Sequence, residues 1–144
     1  MIFGFFASKN KKLIKHWKKE HQQMAVLGHK VLAQYAKNNK KKAKKELKNL
    51  SDLAIGHLLS EDIHLYKILK DDVSLDPKTK KLANDFVQSF KCSKTQFIFF
   101  LSEYTKADIE LDETFYQTFH ELFDLFTRRI EYEERHLYKH LQSK

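Results

Sequence analysis

The sequence predicts an all-α protein with the architecture of an up-down-up-down four-helix bundle. Only three Gly and one Pro occur in 144 residues, so there is little turn chemistry for a sheet protein. Apolar residues recur with a 3.6-residue period along four long stretches. The connections between those stretches are short and polar, which places consecutive helices side by side and antiparallel. A hydrophobic fraction of 42% with 13% aromatics describes a globular chain rather than a disordered one. The length suits a single domain over residues 1–144 with one substantial core.

Residues 1–9 begin with the apolar run Met1 to Ala7, too short for a signal peptide and followed rather than preceded by lysines. They are expected to form an N-terminal arm packed across the end of the fold. Helix 1 is expected over Asn10 to Ala36, with Ile14, Trp17, His21, Met24, Gly28, Val31, Leu32 and Tyr35 on its inner stripe. Helix 2 is expected to start near Asn39 or Lys40 and end near Leu69, with Leu47, Leu50, Ala54, Leu58, Leu65 and Ile68 inward. The segment 71–77 reads as a linker in which Asp76 caps helix 3 and Pro77 takes its first position. Helix 3 carries Leu82, Phe86, Phe90, Phe97, Phe100, Leu101 and Tyr104. A polar loop, Thr105 to Asp112, leads to helix 4, with Phe115, Phe119, Leu122, Phe126, Ile130 and Leu137.

Charge is unevenly placed. Residues 1–72 carry sixteen Lys against seven acids, whereas residues 73–144 carry eleven Lys or Arg against twelve acids. The run Lys37 to Lys45 dominates the basic half. Such a block can meet phosphates or anionic lipid. No Arg or aromatic is interleaved with the lysines, so a solvated loop and helix start is the expected reading, with no specific nucleic-acid partner. No apolar run approaches the roughly twenty residues a membrane span needs. The single Cys92 fits a reducing compartment, and a cytoplasmic protein is expected.

Two polar residues interrupt the stripe of helix 2. His57 and Glu61 are four apart, so they stack on one helical face among core residues. A carboxylate there is costly unless it is paired, hydrogen-bonded or bound to metal. The same stretch recurs at an offset of 72 residues. Glu61 falls on Glu133, Asp62 on Glu134, and His64-Leu65-Tyr66-Lys67 on His136-Leu137-Tyr138-Lys139, while His57 falls on Arg129. A repeated helix pair sets Glu61 and Glu133 at matching depths across the bundle axis. On helix 1, His21 lies on the inner stripe and reaches the level of His57. The set His21, His57, Glu61 and Glu133 is therefore a two-histidine, two-carboxylate shell suited to iron, manganese or zinc. The same residues without metal would form a buried hydrogen-bond network.

Glu20-His21-x-x-Met24, with His57-x-x-x-Glu61-Asp62-x-x-Leu65-Tyr66, resembles the first half of a hemerythrin-like HHE cation-binding domain. Glu133-Glu134-x-x-Leu137-Tyr138 resembles the end of its second half. The resemblance spans nearly the whole chain. It implies a four-helix bundle holding non-haem iron for oxygen or iron handling. His21, His57 and Glu61 would serve one metal and Glu133 would bridge. Two imidazoles of the family pattern are missing, because the matching positions are Ser93 and Arg129. Arg129 can place a guanidinium where a second cation would sit, most strongly as a bidentate pair with a carboxylate. Glu134 and His136 complete the surroundings. A slighter resemblance, on Gly56-His57 and Arg129-x-x-x-Glu133, is to bacterial anti-sigma regulators, and implies a metal-free bundle acting through a protein partner.

Glu61-x-x-His64 and Glu133-x-x-His136 also imitate a ferritin-like motif, but both histidines fall near the stripe edge and helix 3 offers no acid at that level. His16 and His29 read as surface residues, His120 as structural, and Cys92 as a small buried residue. Gly28 and Gly56 each carry a helix-propensity cost of about 1 kcal/mol relative to Ala, so close helix approach or room for a ligand is expected at both. No nucleophile–base pair, phosphate-cradling loop or cofactor fingerprint appears, and the chain is expected not to be an enzyme.

Overall fold

The computed structural model describes the backbone of residues 2–71 and 76–139, and side chains within 11–65, 67 and 76–139. Four helices account for nearly all of it: α1 Ile2–Ala36, α2 Lys40–Asp71, α3 Pro77–Tyr104 and α4 Glu113–Tyr132, the last continuing into a π-helical turn at Glu133–Leu137. Among the described residues there is no strand, and no helix is long and apolar enough to cross a membrane.

The reversal between α1 and α2 is specified locally. Asn38 adopts a left-handed φ of 61°, a conformation that Asn tolerates better than most side chains. The Asn39 N–H then reaches back to the Gln34 carbonyl at 2.9 Å, and the Asn38 N–H to Tyr35 at 2.9 Å, closing the helix end. Asn39 also caps α2 through Lys42 N–H at 3.3 Å. Asp76 caps α3 by accepting from Thr79 N–H at 2.7 Å, with Pro77 in the first turn, and Asp112 caps α4 through Phe115 N–H at 2.8 Å. Side-chain meetings give the directions. His21 lies against His57, Phe97 against Phe126, and Trp17 against Tyr138, each pair joining antiparallel neighbours. The four helices run up-down-up-down, with α1 closing against α4.

Two apolar clusters fill the interior. One gathers Met24, Leu58, Phe97, Phe119 and Phe126 with their neighbours, and the other Ile14, Trp17, Leu65, Phe86, Leu137 and Tyr138. His21, His57, Glu61, Arg129 and Glu133 are all buried at the levels between them. The bundle thus holds a polar layer between two greasy ones, and water is shut out from both sides.

Several expectations change. Helix α1 begins at Ile2 rather than Asn10, so the apolar run is helix instead of a separate arm; its packing, and the side chains of Tyr66 and Ile68, lie outside the described residues. Cys92 is exposed, not buried, because it falls on the outer face of α3. The inner stripe of α4 runs through Phe123 and Arg129, leaving Leu122 and Ile130 half-buried at its edge. Gly28 has the close approach expected of it: an added Cβ would enter the Phe123 ring. Gly56 does not, since it is exposed and an added Cβ would meet nothing within 4 Å.

Candidate metal centre

Glu61 is the hub of the polar layer. It is fully buried on α2 and uses each oxygen separately. Its Oε1 accepts from Arg129 Nη2 at 3.1 Å, and its Oε2 accepts from the Tyr138 hydroxyl at 2.6 Å. One turn earlier His57 brings Nε2 to 3.3 Å from that same Oε2. From α1, His21 sets its own Nε2 3.0 Å from His57 Nε2 and 3.7 Å from Glu133 Oε1. One ligand atom each from His21, His57, Glu61 and Glu133 lies within 4.8 Å of all the others.

The other nitrogen of each imidazole faces a carboxylate. His57 Nδ1 stands 2.9 Å from Glu20 Oε1, and His21 Nδ1 stands 3.9 Å from Glu134 Oε2. The first distance is a hydrogen bond and fixes the His57 tautomer with its proton on Nδ1; the second is too long for one, and His21 Nδ1 has no hydrogen-bond partner. Metal-ligating histidines are held this way, with a carboxylate behind the ring turning the free nitrogen inward.

Arg129 bridges instead of forking onto one acid. Besides Glu61, its Nη2 lies 3.9 Å from Asp62 and its Nε 3.7 Å from Glu133, so no bidentate pair with one carboxylate forms. The guanidinium carbon lies over the rings of Phe86 and Phe90, 5.1 and 5.9 Å from their centroids, the contribution α3 makes at this level. Ser93 hydrogen-bonds its own helix at the Phe90 carbonyl, and Lys94 pairs with Asp62. Neither faces the ligand set.

Electrostatics separate the two acids. Burial pushes Glu61 up, but hydrogen bonding to Glu133 and His57 and the Arg129 charge outweigh it and hold the carboxyl below the usual range. Burial and then repulsion from Glu61 hold Glu133 well above that range. Two neighbouring buried acids cannot both ionise cheaply, so one keeps a proton. Burial and the His57 charge push His21 down to about 3. Burial also opposes a charge on His57, but the bonds and charges of Glu61 and Glu20 raise it overall. Burial, Glu133 and Glu61 keep the Tyr138 hydroxyl protonated far into the alkaline range.

Of the residues named from sequence, four come together as the ligand set, with Arg129 spanning its two acids and Glu134 behind His21. His136 does not join them: it is exposed, with its ring against Tyr132. His120 is likewise exposed, its ring edge-on to Tyr116. His64 hydrogen-bonds the Ser60 carbonyl at 2.7 Å and packs on Trp17. Two residues were not assigned roles from sequence. Glu20 sits one position off the inner stripe, and the signal for it was its place beside His21. Tyr138 is inward because the π-helical turn widens the spacing, its N–H bonding to the Glu133 carbonyl five residues back. Single π-turns inside α-helices are rare and cluster at functional sites.

No protein-family model matches the chain, and no curated protein or solved structure matches it significantly.

The donor set could hold a small divalent ion, its four ligand atoms lying within 4.8 Å of one another and three of the pairs closer. With metal–nitrogen bonds of about 2.0–2.1 Å, two ligands on a tetrahedral ion stand about 3.3 Å apart. The His21–His57, His57–Glu61 and His21–Glu133 separations of 3.0, 3.3 and 3.7 Å bracket that value.

Proposed function

We propose that this protein is a hemerythrin-like bundle that binds one metal ion, iron or zinc, through His21, His57, Glu61 and Glu133. Manganese suits the same donors less well, because two imidazoles favour the later metals. The observation that carries the reading is the pair of imidazole Nε2 atoms 3.0 Å apart beside two buried acids. Two neutral rings with lone pairs facing each other repel, so that contact calls for a shared proton or a shared cation. Bound iron would supply one-electron redox chemistry and an affinity for dioxygen. The chain's own part is to bind, orient and exclude. Glu20 aims His57, Arg129 occupies the far oxygen of Glu61, Tyr138 donates to its near oxygen, and Glu133 carries the proton a cation would displace. The shell is closed between two apolar clusters, which supports sensing or storage over turnover of a substrate.

A second reading is supported by Arg129. Its contact with Glu61 gives the buried acid a partner without any metal, as a regulatory bundle working through a protein partner would need. The two readings differ in a melting experiment. A ligand bound only to the folded state raises its stability. On the metal reading, zinc or ferrous iron raises the melting temperature of the wild type and not of His57→Ala. Equal curves with and without metal for both proteins would support the metal-free bundle.

A further inference from the structure

Away from the polar layer, the start of α2 and the loop between α3 and α4 enclose an open groove of about 720 Å³. Lys40, Lys41, Lys42, Lys44, Lys45 and Lys48 line one side, and Ala107 and Ile109, backed by the core residue Leu111, form an apolar floor, with Glu110 beside them. Lys44 donates to the Ile109 carbonyl and so ties the loop to the helix.

The charges here are arranged against the helix's own interest. A helix N-terminus carries the positive end of the macrodipole and favours acids, yet α2 has none in its first turn. Lys40 and Lys44, Lys41 and Lys45, and Lys44 and Lys48 are like-charged pairs four residues apart, which repel. Among the described residues the lysines with an ion-pair partner are Lys94 and Lys106; of the six here, Lys44 feels the more distant Asp108, and the other five have no acid within ion-pair distance. Burial and then repulsion from Lys48 lower the Lys44 ammonium below its ordinary range, and attraction to Asp108 offsets them only in part. An anion in the groove would relieve all of these at once.

We infer that this groove docks an acidic amphipathic segment of a partner protein, its carboxylates on the lysine row and its apolar side chains on Ala107 and Ile109. The lysines spread over roughly 12 Å of helix axis instead of converging on a point, as donors around one phosphate do. No Arg forks onto phosphate and no aromatic side chain lines the groove to stack a base, which disfavours a nucleic-acid strand. The apolar floor has no use for a purely hydrophilic polyanion.

The test measures anisotropy of three labelled probes with the full chain: an amphipathic helix of Glu and Leu, an all-Glu peptide of the same length, and an oligothymidylate of equal charge. The Glu–Leu peptide is expected to bind in the micromolar range and the other two at least about tenfold more weakly. Reversing the exposed Lys40, Lys41 and Lys45 to Glu should weaken it at least about tenfold again while leaving the melting temperature unchanged or higher, since acids suit that helix end. If that variant unfolds, Lys41→Ala with Lys45→Ala is read instead, with the same direction of loss. Tightest binding by the oligothymidylate would make this a phosphate-backbone site and overturn the inference. So would equal binding by the all-Glu peptide, no binding of the Glu–Leu peptide up to millimolar, or binding indifferent to the lysines.

Discussion

His21 and His57 bring their Nε2 atoms to 3.0 Å from the two helices of the α1–α2 hairpin, while Glu20 holds the far side of the His57 ring at 2.9 Å. On the proposed metal reading, this contact makes Glu20 a positioning residue for the His57 ring. Glu20→Gln retains the size of the side chain and loses its charge. It is expected to weaken zinc binding about 10- to 100-fold with little change in the apo fold. Calorimetric titration of both proteins with zinc reads this, and equal affinities would remove Glu20 from the site.

Arg129→Met leaves Glu61 buried without its guanidinium. Breaking one side of a buried ion pair costs about 3–5 kcal/mol. The metal-free variant should lose stability on that scale in urea denaturation, and saturating zinc should return part of it, because the cation then neutralises Glu61. A loss unaffected by zinc would separate Arg129 from the metal.

Acid should act through His21. Its folded pKa is about 3, against an ordinary 6.5 in the unfolded chain, with burial the main cause. Between those values the unfolded chain binds a proton there that the folded chain refuses. Stability therefore rises with pH in this window and is lost as pH falls from 6.5 towards 3, at about 1.4 kcal/mol per unit at most. Glu61, held low, works in the same direction at lower pH. Glu133, held high, works oppositely above its ordinary 4.5. The His21 share is isolated as the stability difference between wild type and His21→Phe, which should be level above 6.5 and shift against the wild type below it. A difference independent of pH would contradict the assignment.

The two mid-helix glycines should respond with opposite signs. Gly28→Ala drives a methyl into Phe123, itself buried against Phe119 and His29, and overpacking of this kind costs about 1–3 kcal/mol. Gly56→Ala meets open space and should stabilise by about 0.5–1 kcal/mol through helix propensity. Thermal melts of the two variants decide it.

Much of this was legible in residue spacing. The inner stripes of α1 and α2 follow a 3.6-residue period, and a reversal near Asn38 brings residues 36 apart face to face, which pairs His21 with His57. The 72-residue offset places Glu133 opposite Glu61 for the same reason. What the period could not foresee was its own interruption. A regular helix turns position 138 away from the face of 133, whereas the π-turn brings Tyr138 beside Glu133 and moves His136 to the surface. Glu20 lay off the stripe and became inward-facing only because α1 and α2 pack closely enough for it to reach His57. Arg129 pairs with Glu61 and not primarily with Glu133, a choice made across the bundle and invisible along one helix. The meaning of the Lys40 to Lys48 row depended on where the α3–α4 loop lands, which no local pattern reveals.

The decisive measurement is the metal content of protein expressed in iron- and zinc-supplemented medium and purified without chelator or oxygen. About one equivalent of iron or zinc per chain in the wild type, and none above background in His57→Ala or Glu61→Gln, is the expected result. Wild-type protein that is folded and free of metal under those conditions would contradict the metal centre.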